Sequence, residues 1–163
     1  MLGWAILIEG QWRVNRIKKV VSGLIVPFLS GCSASGRIGE LPTIGRGAPS
    51  SQLVLIRVSN FVGAANSYYV ALDGKDVFSI RSGQYTTLHI PEGEHFVAVK
   101  CFGGWSPTWK EDSKRFVAMQ DQTNYFVISP NLSCAEIISV SEEDGRKKMA
   151  EGDFVSPETF SSK

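Results

Sequence analysis

The stretch YVALDGKDVFSIRSGQYTTLHIPEGEHFVAVK, residues 69–100, decides the fold class of this chain. Apolar and polar side chains alternate along it in short runs. In YTTLHI, for example, Leu88 and Ile90 fall on one face, and Thr87 and His89 fall on the other. An alternation of this kind over about four to eight residues predicts a half-buried β-strand, and the aromatic and β-branched residues in these runs favour the same structure.

Turn residues separate the runs. Asp73 and Gly74 in LDGKDV can adopt the positive φ that a tight hairpin needs, and Gly93 in PEGEH can do the same. Similar runs continue on both sides, as LVLIRV, RFVAMQ, NYFVIS and CAEIISV. About seven short strands with no helix between them predict an all-β domain, an antiparallel β-sandwich.

The run LVLIRV, residues 53–58, is the first of these strands. Its alternation sets Val54, Ile56 and Val58 on one face and Arg57 on the other. We therefore expect a half-buried strand whose apolar face lies opposite Arg57.

The chain after residue 140 has a different pattern. In SEEDGRKKMAEG, Ser141 is a candidate N-cap, acidic residues fill the first turn, lysines follow, and Gly152 comes after the last helical position. This arrangement predicts a short helix, although Gly145 inside it weakens the pattern. The tail DFVSPETFSSK, residues 153–163, is expected to be disordered.

An apolar run near the N-terminus predicts export. The run Val20–Leu29 has about ten residues, which is too short for a helix that crosses a bilayer and needs about 20. Basic residues precede it and small residues follow it, as in a secretory signal peptide. The alternative, a buried core strand that ends in a free cysteine, is disfavoured by Gly23 and Pro27 within the run.

The four residues LSGC, which end at Cys32, resemble the bacterial lipobox. The resemblance implies that residues 1–31 are a signal peptide and that Cys32 is acylated, for example with palmitate, and anchors the mature chain to a membrane. The residue after the cysteine is Ser33 and not an aspartate, which is similar to the pattern of enteric lipoproteins sorted to the outer membrane. This resemblance implies that the protein is located on the periplasmic face of the outer membrane. Glu9 and a second apolar patch ahead of the basic residues suggest a translation start near Val14 instead of Met1.

The charge of the exported chain excludes one class of partner. The full chain has 17 basic and 16 acidic residues; residues 1–31 hold four of the basic ones and one acid, which leaves 13 against 15, a net charge of −2. Such a mixed surface has no basic footprint for nucleic acid, so no nucleic-acid partner is expected. The remaining length of about 130 residues fits one domain with its own core.

The segment SASGRIGELPTIGRGAPSSQ, residues 33–52, is rich in Gly, Ser and Pro and has no sustained apolar period. It predicts a flexible linker between Cys32 and a folded domain at residues 53–152. As a coil it would span about 25 Å, which would hold the domain clear of the bilayer.

The turns within residues 69–100 also resemble those of a domain-of-unknown-function family of small bacterial lipoproteins and, more distantly, those of PEGA-type β-sandwich repeats. NYFVIS, residues 124–129, is similar to the family's later aromatic strand, and the likeness covers residues 53–140. It implies an immunoglobulin-like or transthyretin-like sandwich on a lipid anchor, and it implies no catalytic residues. The matching turn positions are Asp73, Gly74, Lys75, Gly83, Pro91, Gly93 and His95.

The two histidines, His89 and His95, have no metal-ligand spacing, and the chain has no nucleophile elbow or phosphate loop. We therefore expect no metal or other cofactor. Two hypotheses follow: a noncatalytic envelope lipoprotein that serves as a binding or accessory module, or an envelope hydrolase that uses His89 or His95 with a nearby carboxylate. The second requires both histidines to converge with a carboxylate; in the first, His89 faces solvent and His95 satisfies a turn.

The stretch FGGWSPTW, residues 102–109, is the strongest candidate for binding. It sets Trp105 and Trp109 in a Gly- and Pro-containing loop, and loops on a rigid scaffold often carry binding residues. The two rings either stack on a sugar, a peptide or a partner protein, or fold back to cap the open end of the sandwich.

Two cysteines remain when Cys32 is acylated. Export into an oxidising compartment favours a disulfide between Cys101 and Cys134. The alternation of HFVAVKC points Cys101 to the core with Val97 and Val99, whereas the orientation of Cys134 is ambiguous. The alternative is two separate buried thiols.

Overall fold

The computed structural model describes residues 35–61, 63–102 and 108–160, which belong to one compact unit, Cys32–Lys163. Cys32, Trp105 and the predicted signal peptide lie outside the described residues. The described elements are β1 (Gly36–Arg37), β2 (Ser50–Arg57), β3 (Tyr68–Leu72), β4 (Lys75–Ile80), β5 (Gln84–Pro91), β6 (Gly93–Phe102), β7 (Trp109–Ala118), β8 (Thr123–Pro130), β9 (Ala135–Val140), α1 (Glu142–Met149) and β10 (Asp153–Phe154).

The strands form two five-stranded sheets, which confirms the predicted β-sandwich. Sheet A has the order β1-β4-β3-β6-β7, and sheet B has the order β10-β5-β2-β8-β9. Most neighbours are antiparallel, but β2 pairs with β8 in parallel, as does β10 with β5. One apolar core joins residues of both sheets, with Leu55 and Phe126 from sheet B among Val70 and Val99 from sheet A.

The two predicted turns have different roles. Asp73 and Gly74 have φ values of 51° and 79° and join β3 to β4 in a hairpin, as predicted. Gly93 has a φ of 140°, but β5 and β6 belong to different sheets. PEGEH is therefore a corner between the sheets and not a hairpin, because β5 pairs with β2 and β10 while β6 pairs with β3 and β7.

Strand β2 is buried on both faces, so the prediction of a half-buried strand is wrong there. Leu53 and Leu55 lie in the core between the sheets, and Arg57, two residues further along, is also fully buried. The opposite face packs under α1, which covers the outer side of sheet B and makes the strand an almost continuous apolar run. The second cluster, on that outer side, contains Val54, Ile56, Tyr125 and Val127, with Val58 and Met149 packed against it.

The predicted helix is present as α1. The Ser141 hydroxyl accepts a hydrogen bond from the Asp144 N–H at 3.2 Å, which is an N-cap of the expected kind. Gly145, the residue that weakened the prediction, is buried against the ring of Tyr125. A Cβ at this position would overlap that ring, so glycine is what allows the helix to approach sheet B.

The segment that precedes β2 does not behave as the predicted flexible linker. Strand β1 pairs with β4, the Ile38 N–H donates to the Val77 carbonyl at 3.0 Å, and Leu41 packs against the main core. Gly39 lies so close to the Asp76 carbonyl that a side chain would clash. The segment is attached to the edge of sheet A by a few apolar residues and by the close fit of Gly39. The composition of the segment did not predict this attachment.

The C-terminal tail is also ordered in its described part, contrary to expectation. Strand β10 pairs with β5, and the Val155 N–H donates to the Tyr85 carbonyl at 2.8 Å. Further on, the Arg37 N–H donates to the Thr159 carbonyl at 2.7 Å. The tail and the β1 segment thus meet along one side of the sandwich and cover the edges of β4 and β5, which would otherwise be open.

A disulfide and a carboxylate close the other side. Cys101 on β6 is bonded to Cys134, just before β9, with their Cα atoms 5.7 Å apart. The Asp112 carboxylate on β7 accepts a hydrogen bond from the Ile137 N–H at 2.8 Å, so it links sheet A to the edge strand of sheet B. Asn131 folds its side-chain oxygen onto the N–H of Cys134 at 2.8 Å and fixes the turn that carries the cysteine.

Candidate functional site

The outer face of sheet A is the most distinctive surface of the described residues. Helix α1 packs on sheet B, so the described part of the chain places no helix on this face. The strand registers set Phe102 opposite Trp109, and they set Lys100 between Tyr69 and Glu111. Paired residues of neighbouring strands project on the same side of a sheet, so all five side chains share one surface.

Three of these residues form an aromatic cluster: Tyr69, Phe102 and Trp109. The ring of Trp109 lies 5.4 Å from that of Tyr69 and 5.4 Å from that of Phe102. Trp109 is 58% exposed and Phe102 is 54% exposed. The sequence suggested that Trp109 lies in a loop or caps the end of the sandwich. Both predictions are wrong, because Trp109 is the first residue of β7 and presents most of its ring to solvent.

A row of charges lies beside the aromatic cluster. The Lys100 ammonium is 2.7 Å from the Asp76 carboxylate and 3.9 Å from that of Glu111. The hydrogen bond that Lys100 donates to the Asp76 carboxylate raises the pKa of Lys100 above its ordinary value. Lys100, Asp76 and Glu111 line a shallow recess of about 330 Å³ together with Lys110 and Trp109. The face thus combines flat apolar rings with donors and acceptors at fixed positions.

His95 joins two connections of the chain. Its Nδ1 lies 2.7 Å from the Asp73 carboxylate, and its Nε2 lies 3.0 Å from the Pro91 carbonyl. Asp73 also accepts a hydrogen bond from the Phe96 N–H at 3.0 Å. Because both ring nitrogens face acceptors within the fold, neither presents a lone pair to a substrate. The geometry is that of a residue that ties a hairpin to a corner.

His89 lies elsewhere, on the exposed face of β5 in sheet B. It lines a small polar recess with Gln52 and Asp121. The two histidines therefore do not converge on one carboxylate, which the hydrolase hypothesis requires: Asp121 lies near His89, and Asp73 contacts His95. Within residues 35–61, 63–102 and 108–160, no group of three or more His, Cys, Asp or Glu residues is placed to hold a metal ion.

The burial of Arg57 and its contacts were not predicted from the sequence. Its Nη1 donates to the carbonyls of Asn66 at 2.6 Å and Ile80 at 2.9 Å, and its Nη2 donates to that of Gly63 at 2.6 Å. The guanidinium lies 3.7 Å from the ring centre of Tyr68. Burial lowers its pKa from the ordinary value. Arg57 therefore acts as a clamp on the loop between β2 and β3.

Comparison with known proteins adds no assignment. No protein-family model matches this chain, and no curated protein and no solved structure matches it at a significant level. Among the described residues, no helix has the length and apolar character that crossing a membrane requires.

Proposed function

We propose that this chain is a membrane-anchored envelope lipoprotein, acylated at Cys32 and located on the periplasmic face of the outer membrane. The basic, apolar and small residues that end in LSGC support the anchor. The Cys101–Cys134 disulfide is consistent with an oxidising compartment. Both observations favour an exported protein with one folded domain.

The domain acts as a noncatalytic binding or accessory module, and its binding surface is the outer face of sheet A. The observation that carries this proposal is the exposed aromatic cluster beside the Asp76–Lys100–Glu111 row. Exposed tryptophan and tyrosine rings supply rigid contact area at a low cost in conformational entropy, and adjacent charges orient a partner. The chemistry suits a protein segment or a glycan.

The hydrolase hypothesis has less support. Both ring nitrogens of His95 are engaged within the fold, and His89 lies on the other sheet. A general base needs a nitrogen within hydrogen-bond reach of the proton it removes. The hypothesis requires both histidines to converge with one carboxylate, and they lie on different sheets, so we favour the binding module.

The test uses the full-length protein purified from membranes, with Trp109→Ala and, as a matched control, Phe96→Ala. Phe96 is 43% exposed and lies on the same face, but it pairs with Arg115 at the other end of β6 and β7. We expect Trp109→Ala to lose a co-purified protein or a bound glycan on an array, while Phe96→Ala keeps it. Equal binding by all three proteins would contradict the proposed surface.

The anchor is tested separately. Cys32→Ser should release the protein from the membrane fraction or stall its processing, because the acyl chains have no other attachment point. Incorporation of a fatty-acid probe into the Cys32→Ser variant would refute the assignment.

A further inference from the structure

One end of the sandwich lies next to the proposed lipid anchor. At this end, β2 and β4 finish and β5 begins, and we call it the anchor end. The Ser35 hydroxyl donates to the Gln84 side-chain carbonyl at 2.6 Å, and the same oxygen accepts the Arg81 N–H at 2.9 Å. Ser35 is thus fixed to the turn between β4 and β5.

The covalent chain limits how far Cys32 can be from this point. Three residue steps separate Cys32 from Ser35, and a fully extended chain spans at most about 3.6 Å per residue. The two Cα atoms are therefore no more than about 11 Å apart, whatever the conformation of the residues between them. The expected coil of about 25 Å is not available, because most of that segment is packed on the domain.

The anchor end exposes apolar side chains. Phe61 is 97% exposed and Leu132 is 84% exposed, which are the two highest values among the large apolar side chains of the described residues. The Asn60 N–H donates to the Ser82 hydroxyl at 3.2 Å, which holds the loop of Phe61 against the turn at residues 81–83. Burial of these side chains against another apolar surface would be favourable.

Both exposed residues stand on connections that are held from within. Arg57 fixes the loop of Phe61 through the Gly63 and Asn66 carbonyls. The Tyr68 hydroxyl donates to the Cys134 carbonyl at 3.1 Å, at the turn that carries Leu132. Since Arg57 also stacks on Tyr68, one buried group supports both connections.

The charge at this end is mixed and less acidic than that of the opposite end. The connections at residues 58–67, 81–83 and 131–134 contain one charged residue, Arg81, and no acid. The end of α1 and the start of β10 also reach the turn at residues 81–83, where the Asp153 N–H donates to the Gly83 carbonyl, and they add two lysines and two acids, Lys147, Lys148, Glu151 and Asp153. The opposite end is acidic, and anionic head groups would repel it. Its acids in the connections and the first turn of α1 are Glu40, Asp73, Glu92, Asp121, Glu142, Glu143 and Asp144.

We infer that the anchor end is a membrane-contact surface, in which Phe61 and Leu132 enter the lipid interface beside the acylated Cys32. The inference rests on the proposed anchor. Aromatic and apolar side chains at the level of the head groups add to the membrane affinity of an acyl chain. With this end against the bilayer, the strands stand away from it, the aromatic cluster lies near the lipid, and the acidic end faces the periplasm.

The test measures depth in the membrane. Full-length acylated protein carrying Phe61→Cys is labelled with an environment-sensitive dye and reconstituted into vesicles of phosphatidylethanolamine and phosphatidylglycerol. Gln120→Cys, an exposed position in the turn between β7 and β8 at the opposite end, is the matched control. We expect blue-shifted emission at position 61, and quenching by lipid-borne spin labels that is several-fold stronger there than at position 120.

Each result has a distinct meaning. Mass spectrometry of the N-terminal peptide from the same sample reports the acyl group; its absence would overturn the anchor and the contact surface together. An acylated protein whose label at position 61 emits as in water would overturn only the contact surface. Shielding of position 61 in native membranes but not in pure vesicles would show that a protein covers this end, which also contradicts the inference.

Discussion

The two ends of the sandwich are held by different chemistry. At the acidic end, one exposed carboxylate joins two short connections: Asp73, in the turn between β3 and β4, has a positive φ, accepts a hydrogen bond from the Phe96 N–H and contacts His95, just after the corner between β5 and β6. At the anchor end, a loop of ten residues between β2 and β3 depends on Arg57, a cation buried in the core. An exposed group can exchange its protein partner for water, whereas a buried group that loses its partner stays unpaired.

The two ends therefore differ in burial: Arg57, Tyr68 and the disulfide cysteines at the anchor end are buried, whereas the Asp73 side chain at the acidic end is 41% exposed. The disulfide and the group formed by Arg57 and Tyr68 join residues that are distant in sequence. Removal of such links should cost more than removal of a turn contact, because each link also limits the unfolded chain or leaves buried groups without partners. Substitutions at the two ends should therefore lower the free energy of unfolding by different amounts.

The disulfide should give the largest effect. Cys101 and Cys134 are separated by 33 residues, and in the chain-entropy model a bridge of this length contributes about 3 to 4 kcal/mol. We expect Cys101→Ala/Cys134→Ala to lower the free energy of unfolding by that amount in denaturant titrations. Reductant should destabilise the native protein similarly and leave the double variant unchanged; equal sensitivity of both would contradict the role of the bridge.

Arg57→Met should be the second largest. The substitution keeps an apolar stem but removes the donors to Gly63, Asn66 and Ile80. We expect a loss of about 2 to 3 kcal/mol, since the buried Ile80 carbonyl stays unpaired while the loop carbonyls regain water. Arg81→Met, at the same end, is the matched control and should change stability little. Faster amide exchange in residues 63–67 of the Arg57→Met variant would locate the effect in the loop.

At the acidic end, Asp73→Gly should have a smaller effect. Glycine tolerates the positive φ of this position, so the substitution isolates the hydrogen bonds to Phe96 and His95 from backbone strain. We expect a loss of about 1 kcal/mol. Asp73→Ala adds the strain of a positive φ and should cost more. A loss from Asp73→Gly that equals the loss from Arg57→Met would show that the two ends are not held differently.

The sequence distance between a residue and its partners explains how much of the fold could be predicted. Alternation and turn residues identified the strands, the Asp73–Gly74 hairpin and the N-cap at Ser141, because each signal lies within a few residues of the structure it produces. The burial of Arg57 has no such signal, since its partners are 6 to 23 residues away. Packing of the β1 segment and of the tail also depends on distant strand edges, and composition cannot show it.

The candidate binding face was predicted only in part. Trp109 was identified from the sequence, but its neighbours Tyr69 and Phe102 lie on other strands, and the register that joins them is a property of the sheet. The charge row of Lys100, Asp76 and Glu111 depends on the same register. The members of this surface lie on four strands, β3, β4, β6 and β7, so no contiguous motif in the sequence marks the surface as a whole.

Phe61→Ser should have the smallest effect on stability. It therefore tests whether the exposed side chains of the anchor end contribute to folding or only to membrane contact. With 97% of its surface exposed, the side chain makes almost no contacts that folding must form, so we expect a change within about 0.5 kcal/mol. Phe126→Leu, a substitution in the core, should by contrast cost more than that. If Phe61→Ser destabilised the isolated protein by more than about 1 kcal/mol, its ring would be packed against the domain and would not be available to lipid. An unchanged free energy of unfolding, combined with weaker quenching of a dye at the nearby Ala64→Cys position in vesicles, would separate membrane contact from folding.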